Sequence, residues 1–240
     1  MSATPGAIGR QPRRFYNETS IGEHEAGFAV LLDGRVARTP AGNPLAVGSQ
    51  RVAEALAAEW AAQGERLDPA AMPVTRIVNS AIDGVSRQME AVRADIVRHA
   101  GSDLVCYRAA GPEGLVAKQE AAWARLLAFA GDALGARFVL AEGVMHVEQS
   151  PEALAAVERA LQGHDALSLA AIHTVTTLTG SALIALALAK HQVGAEEAWA
   201  AAHVDEDWQM SQWGKDEQAL ARRARRWREM EAAATILAAA

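Results

Sequence analysis

The residues whose types and spacing suit chemistry gather in one stretch, His203-Val-Asp-Glu-Asp-Trp-Gln-Met-Ser-Gln-Trp-Gly214. Read as one helix at about 100° per residue, Trp199, His203, Glu206, Met210 and Trp213 share a face, while Asp205, Asp207 and Trp208 point elsewhere. A carboxylate centred between two tryptophans and a methionine is either buried with a partner or exposed on a surface that another protein covers. Both readings are recognition more than catalysis. His203 and Glu206 stand three residues apart and could share a metal or a proton, so an enzyme with a cryptic metal or acid/base site there is the alternative.

Elsewhere the chemistry is thinner. Thr179-Gly180-Ser181-Ala182 is not a nucleophile elbow, and Ser181 reads as a packing residue in an apolar helix. No phosphate-cradling glycine loop follows a strand, which excludes the common nucleotide sites. Asp95 and His99 are four apart, but a di-metal bundle needs Glu-x-x-His motifs on two helices, and neither this pair nor His203 with Glu206 has that order. Cys106 lies in Leu-Val-Cys-Tyr, a setting that raises a thiol's pKa and leaves it inert. His173, inside an apolar helix, reads as a satisfied core histidine. No cofactor and no metal is implied.

The elements that must position these residues follow from pattern. Gly27-Phe-Ala-Val-Leu-Leu32 and Arg35-Val-Ala-Arg-Thr39 flank Asp33-Gly34, a hairpin with a type I′ turn. Leu45 to Val47 adds a short strand, and Phe15-Tyr16 begins an earlier one. Ser49 caps a helix that ends at Gly64, with Val52, Leu56 and Trp60 on one face. Trp60 is thereby placed in the core, where truncation costs on the order of 3–5 kcal/mol. Pro73 opens a helix carrying Val74, Ile77, Val78, Ala81 and Ile82, and Met89, Val92 and Ile96 mark the next, stopping near Gly101. A longer helix runs from Leu115 to Leu134. Phe138 to Ala141 and Val144 to Val147 read as two strands, Ser150-Pro-Glu opens a further helix, and the apolar segment after Asp165 breaks near Thr179-Gly180. The last two helices are expected from Ala195 to Trp213 and from Asp216 to about Leu237.

The pattern defines an α+β fold: a small β-rich N-terminal domain with packed helices over 14–110, then a mainly α-helical domain over 111–240, with 1–13 a flexible basic tail. Alanine supplies much of the hydrophobic half of the 240 residues, which suits helices. A net charge of −6 argues against a general nucleic-acid binder. The single cysteine excludes an internal disulfide and fits a reducing compartment. Ala166 to Ala189 lacks formal charge, yet its threonines, glycine and serine and the absence of flanking aromatics make it a buried soluble helix rather than a stable membrane insertion.

Two features point outward. Arg222, Arg223, Arg225, Arg226 and Arg228 are interspersed with acids on the last helix, the pattern of a solvated face or the charged rim of an interface. Five of the six tryptophans lie on apolar stripes, but Trp208 does not. Either both faces of its helix are covered, or Trp208 is an exposed anchor of the kind that carries interface energy.

An ordered set of motifs runs through the whole chain: Arg14-Phe-Tyr16; Leu32-Asp-Gly-Arg35 with Thr39-Pro-Ala-Gly-Asn-Pro-Leu45; Glu59-Trp60; Met72-Pro-Val-Thr-Arg-Ile-Val-Asn-Ser-Ala-Ile-Asp83; Asp103-Leu-Val-Cys-Tyr-Arg108; Thr179-Gly-Ser181; and Asp205-Glu-Asp-Trp-Gln209 with Trp213-Gly214. In order and spacing it resembles the assembly chaperones of the F-type ATP synthase that act on the alpha subunit, the ATP synthase assembly factor 2 family. The resemblance implies a non-enzymatic chaperone that holds the free alpha subunit, covers the surface that later faces a beta subunit, and releases it to the hexamer. It also implies an N-terminal α+β part followed by a helical part. With it, Asp205, Glu206, Trp208, Gln209 and Trp213 become the expected partner-binding residues. The short, basic start and the Ala and Arg content suit a bacterial cytoplasmic member; a eukaryotic source would place it in the mitochondrial matrix.

Overall fold

Strand formation early in the chain follows from the apolar run at Gly27–Leu32. A computed structural model describes residues 12–143 and 145–239, and contacts divide the chain into two units, one ending at Arg76 and one beginning at Ile77. The tail expected over 1–13 falls, apart from Pro12 and Arg13, outside the described residues.

In the first unit β1 (Thr19–His24) and β2 (Gly27–Leu32) pair antiparallel, from Thr19 opposite Leu32 to His24 opposite Gly27. Along its other edge β2 takes β3 (Arg35–Val36) and β4 (Ala46–Val47). The β2–β3 turn is the expected one: Asp33 and Gly34 have φ of 48° and 77°, the positive pair that a type I′ hairpin demands. Gly27 is required for a different reason, since a Cβ there would lie 2.6 Å from the Val47 carbonyl oxygen of β4. Helix α1 (Gln50–Ala61) lays Val52, Ala53 and Leu56 on the sheet.

Three expectations fail in this unit. Phe15 and Tyr16 form no strand; their segment bonds instead to the loop after α1, Arg14 N donating to Glu65 O at 2.9 Å and Leu67 N to Pro12 O at 2.9 Å. Ser49 occupies the cap position of α1 but its side chain makes no capping bond. Trp60 is half-buried rather than in the core, its ring 5.7 Å from that of Tyr16, whose hydroxyl donates to Trp60 O at 2.6 Å.

Helix α2 (Pro73–Asp83) has its first amides capped from outside the helix. The Glu59 carboxylate accepts from Val74 N at 2.7 Å, Thr75 N at 2.8 Å and the Thr75 hydroxyl at 2.8 Å. Burial nonetheless raises its pKa above the ordinary glutamate value.

The second unit is helical: α3 (Met89–Ala100), α4 (Glu113–Ala133), α5 (Pro151–Leu161), α6 (Ala166–Thr179), α7 (Ala182–Ala189), α8 (Ala195–Ala202), α9 (Val204–Trp213) and α10 (Glu217–Leu237). Helices α3, α7 and α10 all pack on α6, and the residues of α7 from Ala182 to Leu188 are buried. The break between α6 and α7 is where the sequence places it: Gly180 closes α6 in the left-handed region at φ 70°. Ser181 then caps α7, accepting from Ile184 N at 3.0 Å, so it is a capping residue more than a packing one.

Of the two strands expected over 138–147, only β6 (Ala141–Glu142) forms, parallel to β5 (Tyr107–Arg108), and Val144 lies outside the described residues. The reason is a side chain. The buried amide of Gln149 accepts from Val139 N at 2.8 Å and donates to Val139 O at 2.9 Å, satisfying the backbone that a neighbouring strand would otherwise pair.

Candidate functional site

The long helix expected from Ala195 to Trp213 is two helices. His203, at φ −121° and ψ 18°, ends α8 and precedes α9. Its side chain explains the break: Nδ1 donates to the Trp199 carbonyl at 2.7 Å, and the ring lies 3.9 Å from Trp199, itself 5.5 Å from Trp227. A carbonyl only accepts, so the proton is on Nδ1 and Nε2 is bare. The residue is 3% exposed, and burial is the first cause of a pKa below the ordinary histidine value. Nε2 lies 4.0 Å from the Glu206 carboxylate, beyond a hydrogen bond. A neutral, buried imidazole against the Trp199 indole is a hinge pin for the helix pair. Among the described residues no group of three or more His, Cys, Asp or Glu is arranged to hold a metal ion.

The break also changes which face of α9 is covered. Val204 is buried and Trp208 half-buried, both on the side toward α4. The Trp208 ring lies over Gly114, where a Cβ would be 2.7 Å from it. Trp208 thus packs on α4, the covered one of the two alternatives that its place off the apolar stripe leaves open. Asp205 joins the same clamp: its carboxylate accepts from Gln119 Nε2 at 2.7 Å, and Gln119 Oε1 accepts from Ala109 N at 2.8 Å. Gln119 is 2% exposed, so both ends of its amide are committed. Trp123 Nε1 completes the tie by donating to Ala201 O at 2.7 Å.

The outer face keeps the rest. Glu206 is 58% exposed at its side chain, Gln209 is exposed, and Trp213 is 80% exposed. Asp207 is held by both guanidinium nitrogens of Arg223 from α10. Three acids in the first turn of α9 suit the positive end of the helix dipole, which is the modest explanation for the run Asp205-Glu206-Asp207. Two of them also have internal partners; Glu206 faces water. Between α4 and α8–α9 runs a groove of about 360 Å³, floored by Ala121, Ala122, Ala200 and Ala201 and edged by Lys118 and Asp207.

The other candidates resolve as structure. Cys106 is buried, and burial pushes its thiol up to about 12. His173 is not in the core: its Nε2 meets Asp95 Oδ2 at 2.9 Å on a partly exposed face. Hydrogen bonds from Arg98 first, then His173, hold Asp95 down at about 2. On α10, Arg226 donates to the Leu178 carbonyl and Arg223 holds Asp207, so the basic face is partly a tie between helices. Among the described residues no helix is long and apolar enough to cross a membrane.

The geometry is thus an α+β unit and a unit of packed helices, with a carboxylate and a bare indole exposed on a clamped helix. The model of the family described as ATP12 chaperone protein matches residues 13–131. Among solved structures, a putative chaperone from Agrobacterium tumefaciens is 50% identical, with a TM-score of 0.90 over 95% of this chain and 86% of that one. Atp12 from Paracoccus denitrificans is 38% identical, with a TM-score of 0.86 over 94% of this chain and 97% of that one, and a single-substitution variant of it matches equally. The chain belongs to the ATP12 chaperone family, the non-enzymatic assembly factors of the ATP synthase.

Proposed function

We propose that the chain binds the free alpha subunit of the F-type ATP synthase, shields its subunit interface from aggregation and hands it over to hexamer assembly. The observation that carries this reading is the outer face of α9, where Glu206 and Trp213 stand exposed on a helix whose other side is locked to α4. An unassembled subunit presents an apolar interface that aggregates unless covered. A rigid helix bearing an indole and an unneutralised carboxylate suits that task, because little ordering entropy is lost on contact. Glu206 faces a cationic or backbone N–H group of the client, with Gln209 and Trp213 beside it. Asp205 and Trp208, both half-buried, hold the helix and meet the client with the edges they leave open. The surface belongs to the helical part, 111–240; the two bacterial relatives support a bacterial source, and the cytoplasm is the setting that goes with it in this reading.

The test is co-expression with the host's alpha subunit, followed by size-exclusion chromatography of the soluble fraction. Alpha is expected to become soluble and co-elute, whereas beta expressed in its place does not. Alpha that stays aggregated, with no complex, overturns the reading.

A further inference from the structure

The unit ending at Arg76 holds a second surface that α9 does not account for. Its first described residues form an extended strap with two registers: Arg14 and Tyr16 face inward, Arg13 and Phe15 outward. The inward side is fixed many times over. The Arg14 guanidinium donates to the carbonyls of Tyr16 at 3.0 Å, Gln63 at 2.6 Å and Asn17 at 3.0 Å. The strap ends where Asn17 N and Glu18 N donate to one oxygen of Asp33, at 3.0 and 2.8 Å. So firm an attachment leaves Phe15 69% exposed, its ring edge-on to Tyr16 at 5.4 Å. A large aromatic side chain held in water on an immobilised backbone is the form an interface anchor takes before binding.

Phe15 borders a cleft of about 570 Å³ walled by Tyr16, Trp60 and Val36, with Arg35 and Arg38 also lining it. The Trp60 indole N–H is buried and finds no acceptor among the described residues. Asp33 is the one carboxylate in the lining, with both backbone donors on a single oxygen, and it is set against two cations, Arg35 and Arg38, the latter also donating to the Gly42 carbonyl at 2.8 Å. Two guanidiniums beside three aromatic rings therefore favour a ligand that is both acidic and apolar. A second copy of this chain is another acidic polypeptide, and the test below separates it from the client.

We propose that this cleft takes an extended acidic segment of the client, seating a large apolar side chain against Phe15 and Trp60 and its carboxylates on Arg35 and Arg38. The proposal rests on the alpha-subunit reading and adds a contact in the first unit, separate from the α9 face.

The experiment measures binding of purified full-length chain to the alpha subunit for wild type, Phe15→Ala and the double variant Arg35→Glu/Arg38→Glu, with thermal melts alongside. Phe15→Ala is expected to melt as wild type does and to bind about 10- to 30-fold more weakly. The double variant is expected to lose affinity and to show a flatter salt dependence. A photoreactive p-benzoylphenylalanine in place of Phe15 is expected to cross-link to an acidic segment of alpha. Wild type that binds alpha while both variants bind within about two-fold of it overturns the cleft and leaves the α9 reading standing. A cross-link to a basic segment or to a second copy of the chain also overturns it. Wild type that binds no alpha at all overturns both readings together.

Discussion

Helices α6–α7 and helices α8–α9 both place polar groups among apolar ones, and they treat them in opposite ways. At the α6–α7 break, every group is closed inward. Asp103, fully buried, accepts from Val105 N at 3.2 Å and Leu183 N at 3.0 Å, and also from Ala182 N and the Ser181 hydroxyl. Thr176 and Thr179 return their hydroxyls to carbonyls one turn back. At α8–α9 the same inward closure holds for His203, Asp205 and Asp207 and then stops, leaving Glu206 and Trp213 in water. An acid in an apolar neighbourhood thus has two meanings, and what separates them is whether the fold supplies its donors. Where it does, the group holds the structure; where it does not, the group is free for a partner.

The largest effect expected from this contrast is at Asp103. Asp103→Ala strands buried amides at the start of α7 and is expected to cost about 3 kcal/mol or more, read from chemical denaturation. The pH dependence sharpens the point. Burial, outweighing four donors, raises this carboxyl from the ordinary aspartate value of 3.8 to about 6. The folded state then holds a proton that the unfolded state has released between those values, so stability falls as pH rises from about 4 to about 6 and levels off above. In Asp103→Asn that slope is expected to vanish. A denaturation midpoint that keeps the wild-type slope in this variant assigns the titration to another group.

Next comes the clamp that separates the two faces of α9. Gly114→Ala drives a Cβ to 2.7 Å from the Trp208 ring. Helix propensity alone makes the change favourable by roughly 0.5–1 kcal/mol, whereas overpacking costs about 1–3 kcal/mol. Net destabilisation is therefore the signature of the contact. Trp208→Leu in the same chain relieves the clash, so the double variant is expected to be more stable than the sum of its singles. Additive effects would mean that the indole and Gly114 do not hold α9 to α4.

How far this was legible from sequence depends on the range of each interaction. The Asp33-Gly34 turn, the Ser150 cap, which accepts from Ala153 N at 3.1 Å, and the Gly180 break are local, and all were readable. The break at His203 was also local and was missed, because alanines on one side and a helical wheel on the other carried the pattern through it. Its signal was present: Asp205-Glu206-Asp207 is a first-turn composition, marking a new helix start at Val204. Reading through it joins Trp199 and His203 to the face of Glu206 and Trp213, whereas in the structure Trp199 and His203 are buried, Glu206 and Trp213 stand outward and Trp208 packs on Gly114. Non-local substitutions of one group for another were beyond reach. The Gln149 amide standing in for a strand, Glu59 capping a helix fifteen residues on and Gly114 receiving Trp208 each join residues that no periodicity connects.

The smallest effect on stability, and the one on which the contrast turns, is at Glu206. Glu206→Gln keeps the shape of the side chain and removes its charge. Because the group is exposed and Asp205 and Asp207 still face the helix dipole, the change in stability is expected to stay within about 0.5 kcal/mol. Affinity for the alpha subunit is expected to fall by roughly an order of magnitude, as for a charge-assisted bond reduced to a neutral one, with the gap closing at high salt. Isothermal titration at two ionic strengths, beside a melt of each protein, reads both quantities. Unchanged affinity would make Glu206 no more than a third acid in a helix's first turn. The open polar group would then lose its meaning as a recognition element, and Trp213 alone would mark the surface.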